Sequence, residues 1–184
     1  MEILIIDIET TGFLPKGRIA EIGIVSLDLN TGEKEIVFDK IINPELDIEI
    51  LKKSWIVSNG YMTVEEIQGG VLFEEIKEDL QGLISKYPNG VTAYNQKFDF
   101  DFLESYGVFF FKKLPCPMLL STNICKLQKI GRASRFGGYK WPKVEEAYKY
   151  FYPKKEYNEI HRGADDAFHE ADIVFALHKL GEFL

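Results

Sequence analysis

Asp7 and Glu9 close an apolar run, Ile3-Leu4-Ile5-Ile6, and are followed by Thr10-Thr11-Gly12. Successive strand side chains alternate faces, so Ile3, Ile5, Asp7 and Glu9 share one face while Leu4, Ile6 and Ile8 share the other. A run apolar on both faces reads as a central strand covered on both sides, where two adjacent anions are costly unless something positive lies between them. A divalent cation meets that need. Two more acidic sites lie downstream. Asp99, in Asn95-Gln96-Lys97-Phe98-Asp99, falls at a strand-to-helix junction, where open sheets place ligands; the helix dipole alone also favours a carboxylate there. Asp101, two positions on, falls on the far side of that helix and faces solvent.

The third site is His161-Arg162-Gly163-Ala164-Asp165-Asp166, leading into the last helix. At about 100° per residue, Asp165, His169, Asp172 and Lys179 form a wet stripe opposite Ala167, Ala171 and Val174. Asp166 instead borders the buried face, one turn from His161. Glu170 also falls toward the apolar side, and the sequence offers it no clear partner. A lone histidine before a helix is usually a structural hydrogen-bonder, but one beside carboxylates titrates near neutral pH. Carboxylates around divalent ions suit a hydrolysis in which water loses a proton. His169 and His178 lack that company and read as a surface residue and a packing residue.

The elements that must position these groups are legible in outline. After the first strand, Arg18 to Leu29 and Glu33 to Ile42 are β-rich runs around Asn30-Thr31-Gly32, which predicts a hairpin. Thr63-Val64-Glu65-Glu66 has the capping-box pattern, with Gly69-Gly70 ending a short helix. Phe73, Ile76, Leu80, Leu83, Ile84 and Tyr87 recur at helical steps until Pro88-Asn89-Gly90 turns the chain. Val91 to Tyr94 is a short strand candidate, Phe98 to Tyr106 a helix closed by Gly107, and Val144 to Phe151 a helix between Pro142 and Pro153. The last helix starts near Gly163. Strands clustered early, followed by alternating β and α, predict an α/β layered domain with a mixed sheet and the first strand central. Residues 1–184 are expected to form one domain.

The bulk numbers agree. A chain of 184 residues with 46% hydrophobic and 28% charged composition is long enough for one buried core. Its start has no basic n-region, and its apolar run is far shorter than the ~7 to 15 residues of a signal peptide or the ~20 of a membrane span. A cytoplasmic location without membrane attachment is expected. Cys116 and Cys125 lack metal-ligand spacing and read as reduced packing residues. A net charge of -7 argues against coating nucleic acid by bulk charge. Yet Ser121 to Val144 contains no Asp or Glu and carries Lys126, Lys129, Arg132, Arg135, Lys140 and Lys143. That segment reads either as a solvated loop or as a track for a phosphodiester backbone.

With these residues in view, the chain resembles the DEDDh branch of the 3′-to-5′ exonucleases, which have a ribonuclease H-like fold, a mixed central sheet with helices on both faces. Asp7-Ile8-Glu9-Thr10-Thr11-Gly12 resembles the first exonuclease motif, Asn95 to Asp99 with Phe102-Leu103 the second, and His161 with Asp166 the HxxxxD third. The resemblance implies two Mg²⁺ or Mn²⁺ ions per site. Asp7 would bridge them, Glu9 and Asp166 would hold the ion carrying the attacking water, Asp99 would support the second, and His161 would take the proton. Two cations about 3.5 to 4 Å apart stabilise both the attacking and the leaving oxygen of an in-line displacement at phosphorus, and hard oxygen ligands favour Mg²⁺ or Mn²⁺.

The resemblance also implies that Thr10, Thr11 and Gly12 touch the 3′ end through backbone, that Phe13 lies beside the terminal base, and that Asn95 orients the second-motif loop or touches the terminal nucleotide. For Phe13, a core aromatic after a turn is the competing reading. The implied activity is 3′-to-5′ exonucleolytic hydrolysis of DNA or RNA at single-stranded or frayed 3′ ends, releasing nucleoside 5′-monophosphates. The alternative is a catalytically silent nucleic-acid-binding or polymerase-associated scaffold of the same fold. The chain ends directly after its last helix, which favours an independent enzyme, while a polymerase partner bound through a folded surface stays open.

Overall fold

The computed structural model describes residues 1–131 and 137–184. Its sheet has the order β3-β2-β1-β4, with β1 (Glu2–Thr10) between β2 (Ile19–Asp28) and β4 (Val91–Thr92), and β3 (Lys34–Ile41) at the edge. The β1/β2 and β2/β3 pairs are antiparallel and β1/β4 is parallel, so the sheet is mixed with the first strand inside it. The β2/β3 connection is the expected hairpin: Gly32 takes φ +81°, and its N–H donates to the Asp28 carbonyl at 2.7 Å. β4 is shorter than its apolar run suggests. Tyr94 leaves the ladder because its N–H donates to the Glu170 carboxylate at 3.4 Å and its carbonyl accepts from Met118 N–H at 3.2 Å.

Alternation along β1 sorts the core. Leu4, Ile6 and Ile8 pack with Phe73, Ile76, Leu80 and Ile84 of α4 (Phe73–Ser85) and Phe100, Phe102 and Leu103 of α5 (Gln96–Ser105). Ile3 and Ile5 pack on the other face with Ala147 and Tyr148 of α7 (Val144–Phe151) and Ala167, Ala171, Ile173, Val174 and Leu177 of α8 (Gly163–Lys179). Helices thus cover both faces, and the odd-numbered face that carries Asp7 and Glu9 is the one under α8. The other helices are α1 (Ile48–Lys53), α2 (Trp55–Ser58), α3 (Val64–Gln68) and α6 (Pro117–Cys125). α3 has its capping box: Thr63 N–H donates to Glu66 Oε2 at 2.7 Å and Glu66 N–H to Thr63 Oγ1 at 3.1 Å. Leu51, Ile56, Val64 and Ile67 of α1 to α3, with Met62 from the turn before α3, close a separate small core against Ala20. Among the described residues no helix is long and apolar enough to cross a membrane. Both cysteines are free thiols.

One close approach fixes the height of α8 above the sheet. A Cβ on Gly23 of β2 would lie 1.9 Å from the Gly163 carbonyl carbon, and one on Gly163 would lie 2.7 Å from Gly23 N and 3.2 Å from the Asp7 carbonyl oxygen. Only two facing glycines let the first turn of α8 sit directly on β1 and β2. Gly23→Ala is therefore expected to cost about 1–3 kcal/mol in urea unfolding, because backbone rather than a flexible side chain must retreat. An unchanged midpoint would contradict the contact.

Candidate active site

β1, α5, α8 and the segment before α8 bring acidic residues to one cavity of 430 Å³, lined by Asp7, Glu9, Thr10, Gly12, Phe13, Trp55, Asn95, Asp99, Glu159, His161 and Glu170 among others. β1 brings Asp7 and Glu9 on one face, as alternation requires. The first turn of α5 brings Asp99, whose Oδ1 accepts from Ile8 N–H at 3.2 Å and is thereby tied to β1. The first turn of α8 brings Asp166, 1% exposed, while Asp165 stays partly in solvent. Asp166 accepts from the Tyr157 hydroxyl at 2.5 Å and from Arg162 N–H at 3.1 Å. His161 precedes α8 with φ +55°, and its Nδ1 lies 3.7 Å from Glu9 Oε1. Ligand atoms of Glu9, His161 and Asp166 all lie within 4.8 Å of one another.

The electrostatics of this cavity are unfavourable as they stand. Burial, reinforced by Glu170 and then Asp99, raises the Asp7 carboxyl well above the usual range, and its Oδ2 is buried without a hydrogen-bond partner. Burial likewise raises Asp99 to about 8 and Glu170 well above its ordinary value. Glu9 is raised by burial, with the neighbouring His161 opposing, and Asp166 by burial, with the Tyr157 and Arg162 donors opposing. Glu159 is pushed to about 7 by burial and then by Asp166. The adjacent Glu9 carboxylate raises His161 above 6.5. Crowded, desolvated carboxylates with an orphan oxygen are what a site for hard divalent cations requires, and the carboxylate oxygens that dominate the donors fit Mg²⁺ or Mn²⁺.

A second carboxylate problem is solved within the protein. Glu21 of β2 is registered directly opposite Glu9 and is 1% exposed. Arg162 answers it with a fork, Nε at 3.1 and 3.0 Å from the two oxygens and a terminal nitrogen at 3.0 Å, and Gly163 N–H adds a bond at 3.2 Å. Neutralising Glu21 leaves Glu9 to the cavity and pins the backbone that follows the left-handed His161. Arg162→Met should cost about 2–3 kcal/mol in chemical denaturation, less than for a fully buried pair because Arg162 is 35% exposed. A loss below about 0.5 kcal/mol would make the fork an ordinary surface pair.

The expected residues do not all converge. Phe13 is 80% exposed, edge-on to Phe98 at 6.0 Å, so it stands at the cavity mouth and is no core aromatic. Gly12 and the exposed Asn95 also line the cavity. Thr10 lines it too, but its hydroxyl donates to the Gly12 carbonyl at 3.0 Å. Thr11 faces a neighbouring groove, where its hydroxyl accepts from Arg18 N–H at 2.9 Å. The cause is a register shift between Glu9 and Thr10, which breaks the alternation beyond Glu9. His169 is not a plain surface residue: its ring stacks on Tyr157 at 4.1 Å and its Nδ1 meets the Asp165 carbonyl at 2.9 Å. In the basic segment, Lys140 is paired with Glu146 at 2.5 Å and Lys129 donates to the Gly137 carbonyl at 2.6 Å. Arg132 and Arg135 lie outside the described residues.

Sequence reasoning missed several groups. Glu159 and Tyr157 fall in a stretch without periodicity, and Trp55 and Tyr61 fall in and beside helices too short to show one. Those two rings pack edgewise on His161, at 4.8 and 4.2 Å between centroids. Glu170 alone left a sign, its place on the apolar side of α8.

The sequence matches the RNase_T exonuclease family model over residues 4–174. No curated protein sequence matches it. Among solved structures, it is similar to a 3′-exonuclease described in 3′-end specific recognition of histone mRNA stem-loop, with TM-score 0.69, 19% identity, and coverage of 99% of this chain and 84% of that one. It is also similar to the nuclease domain of 3′hExo, a DEDDh family member described bound to rAMP, with TM-score 0.67, 20% identity, and coverage of 100% and 94%. Exonuclease I of E. coli in complex with a dA16 oligonucleotide matches with TM-score 0.64 and 15% identity, over 97% of this chain and 41% of that one. At these identities the likeness establishes the fold, which is ribonuclease H-like. By the family match over nearly its whole length, and with Asp7, Glu9, Asp99, His161 and Asp166 in DEDDh order, the chain belongs to the exonuclease family.

Proposed function

We propose that residues 1–184 act as one cytoplasmic exonuclease domain that hydrolyses DNA or RNA from the 3′ end and releases nucleoside 5′-monophosphates with two Mg²⁺ or Mn²⁺ ions. The observation that carries this reading is the convergence of Asp7, Glu9, Asp99 and His161 on one cavity, with Asp166 set against Glu9 and His161 and with Asp7 Oδ2 buried and unpartnered. Asp7, Glu9, Asp99 and Asp166 would hold the ions. When bound, the ions supply positive charge for the attacking water and the leaving oxygen of an in-line displacement. Among the chain's own groups, His161 takes the water proton: Glu9 faces its Nδ1 and orients the ring, leaving Nε2 as the acceptor. Tyr157 and Arg162 N–H hold Asp166 in place. Phe13 and the half-exposed Trp55 line the cavity, where a terminal base of any identity can stack.

The direct test is a strand labelled at its 5′ end. It should shorten progressively with Mg²⁺ or Mn²⁺ and stay intact with EDTA, whereas early loss of the labelled nucleotide would reverse the direction. Single-stranded DNA, duplex DNA with a 3′ mismatch, and RNA digested side by side would identify the substrate. No observation favours the silent-scaffold alternative or a polymerase partner.

His161→Ala should lower kcat by about 10² to 10⁴-fold and remove the rise of rate with pH, since the neutral imidazole is the active form. Retention of that rise would assign the base elsewhere. Phe13→Ala should raise KM about tenfold with kcat nearly unchanged, the loss expected for one stacked base. An unchanged KM would leave Phe13 outside the substrate path.

A further inference from the structure

The cavity holds one more fully buried carboxylate than the family pattern requires, and its acids divide into two groups. Glu9, Asp166 and His161 bring ligand atoms together, and Asp166 has two hydrogen-bond donors of its own. Asp7, Asp99 and Glu170 form the second group, for which no salt bridge is found among the described residues. Glu170 is 3% exposed and lines the cavity. It stands one turn beyond Asp166 on the same face of α8, and its bond to Tyr94 N–H places Oε2 at the β4-to-α5 junction that delivers Asp99. A buried glutamate persists by pairing with a cationic side chain, by capping backbone or by facing a bound cation. Among the described residues no side-chain cation pairs with Glu170, and its backbone bond of 3.4 Å is longer than the usual 2.7–3.2 Å. Beyond burial, the strongest repulsion on Asp7 comes from Glu170, and that on Glu170 from Asp99.

We propose that Glu170 is a fifth carboxylate of the cation site, which with Asp7 and Asp99 holds the second ion and makes that position tight before nucleic acid arrives. The inference rests on the metal-dependent reading above, and affinity at oxygen sites rises with the number of charged ligands. The test uses the full chain, stripped with EDTA and titrated with Mn²⁺ by calorimetry, with free Mn²⁺ followed by electron paramagnetic resonance.

Wild type is expected to bind two ions without nucleotide. Glu170→Gln keeps an acceptor for Tyr94 N–H and should weaken the second ion at least about tenfold while leaving the first unchanged; Glu170→Met should abolish the second. Circular dichroism in EDTA checks the fold. A folded Glu170→Gln that binds both ions like wild type overturns the proposal, as does a wild type that binds one ion with an affinity the variant does not alter. A Glu170→Gln chain that cannot fold makes the residue structural and also overturns it. Wild type that binds no Mn²⁺ at all would instead remove the metal-dependent reading itself. Asp7→Asn serves as the control that separates the two, since it should weaken both ions if that reading holds.

Discussion

Asp7→Asn abolishes hydrolysis, by about a thousandfold or more, and at the same time makes the metal-free protein more stable at pH 8. The first effect follows from the central place of Asp7 in the proposed cation site, where several kcal/mol of transition-state charge stabilisation are at stake and about 4 kcal/mol is a thousandfold in rate. The second follows from its surroundings: Oδ2 is buried without a donor, and burial, Glu170 and Asp99 all oppose its ionisation. An amide carries no charge at any pH, so the cost of ionising this side chain, about 1.4 kcal/mol per pK unit of displacement, is absent. A gain of at least about 1 kcal/mol in EDTA is expected from chemical denaturation. An inactive variant that was also less stable would mark Asp7 as a structural residue.

The second large effect is the pH dependence of the metal-free protein. Asp99 moves from 3.8 to about 8, and Asp7 and Glu170 are raised by the same burial and crowding. Between those values the folded state holds protons that the unfolded chain has released, so stability falls as pH rises from about 4 to about 8. His161, raised by Glu9, acts in the same direction, because stability from a raised histidine is lost as pH passes its folded value. The carboxylates lowered by partners, such as Asp28, Glu66 and Glu146, contribute fully above about pH 5 and add no slope beyond it. The thermal midpoint in EDTA should therefore decline from pH 5 to pH 8. Mn²⁺ at a hundred times its dissociation constant should add about 2.7 kcal/mol, with the larger gain at pH 8, where fewer protons compete. A midpoint in EDTA that rises across this interval would mean that the cavity carboxylates are already compensated.

Much of the site could be read from residue order because strand alternation and helix periodicity are local rules. They put Asp7 and Glu9 on one face and preferred Asp166 over Asp165, and the structure agrees on both. They failed where the local rule is broken or too short to register. The shift after Glu9 turns Thr11 away from the cavity, and no residue type announces it. The helices α1 and α2 have six and four residues, too few to show a period, so Trp55 and Tyr61 beside His161 were invisible. Glu21 showed as one more strand residue, because its meaning depends on a partner, Arg162, that is 141 positions away. Glu170 was noticed and left without a partner for the same reason: its neighbours come from β1 and α5.

The position of α8 ties the acids to the core. The same helix roofs the second face of the sheet and supplies Asp166 and Glu170, so two of the acids and part of the core cover arrive on one element. Any local opening of α8 withdraws both carboxylates from Asp7 and Glu9 at the same moment that it uncovers Ile3 and Ile5. Assembly of the acidic cluster and closure of this face of the sheet are therefore one event.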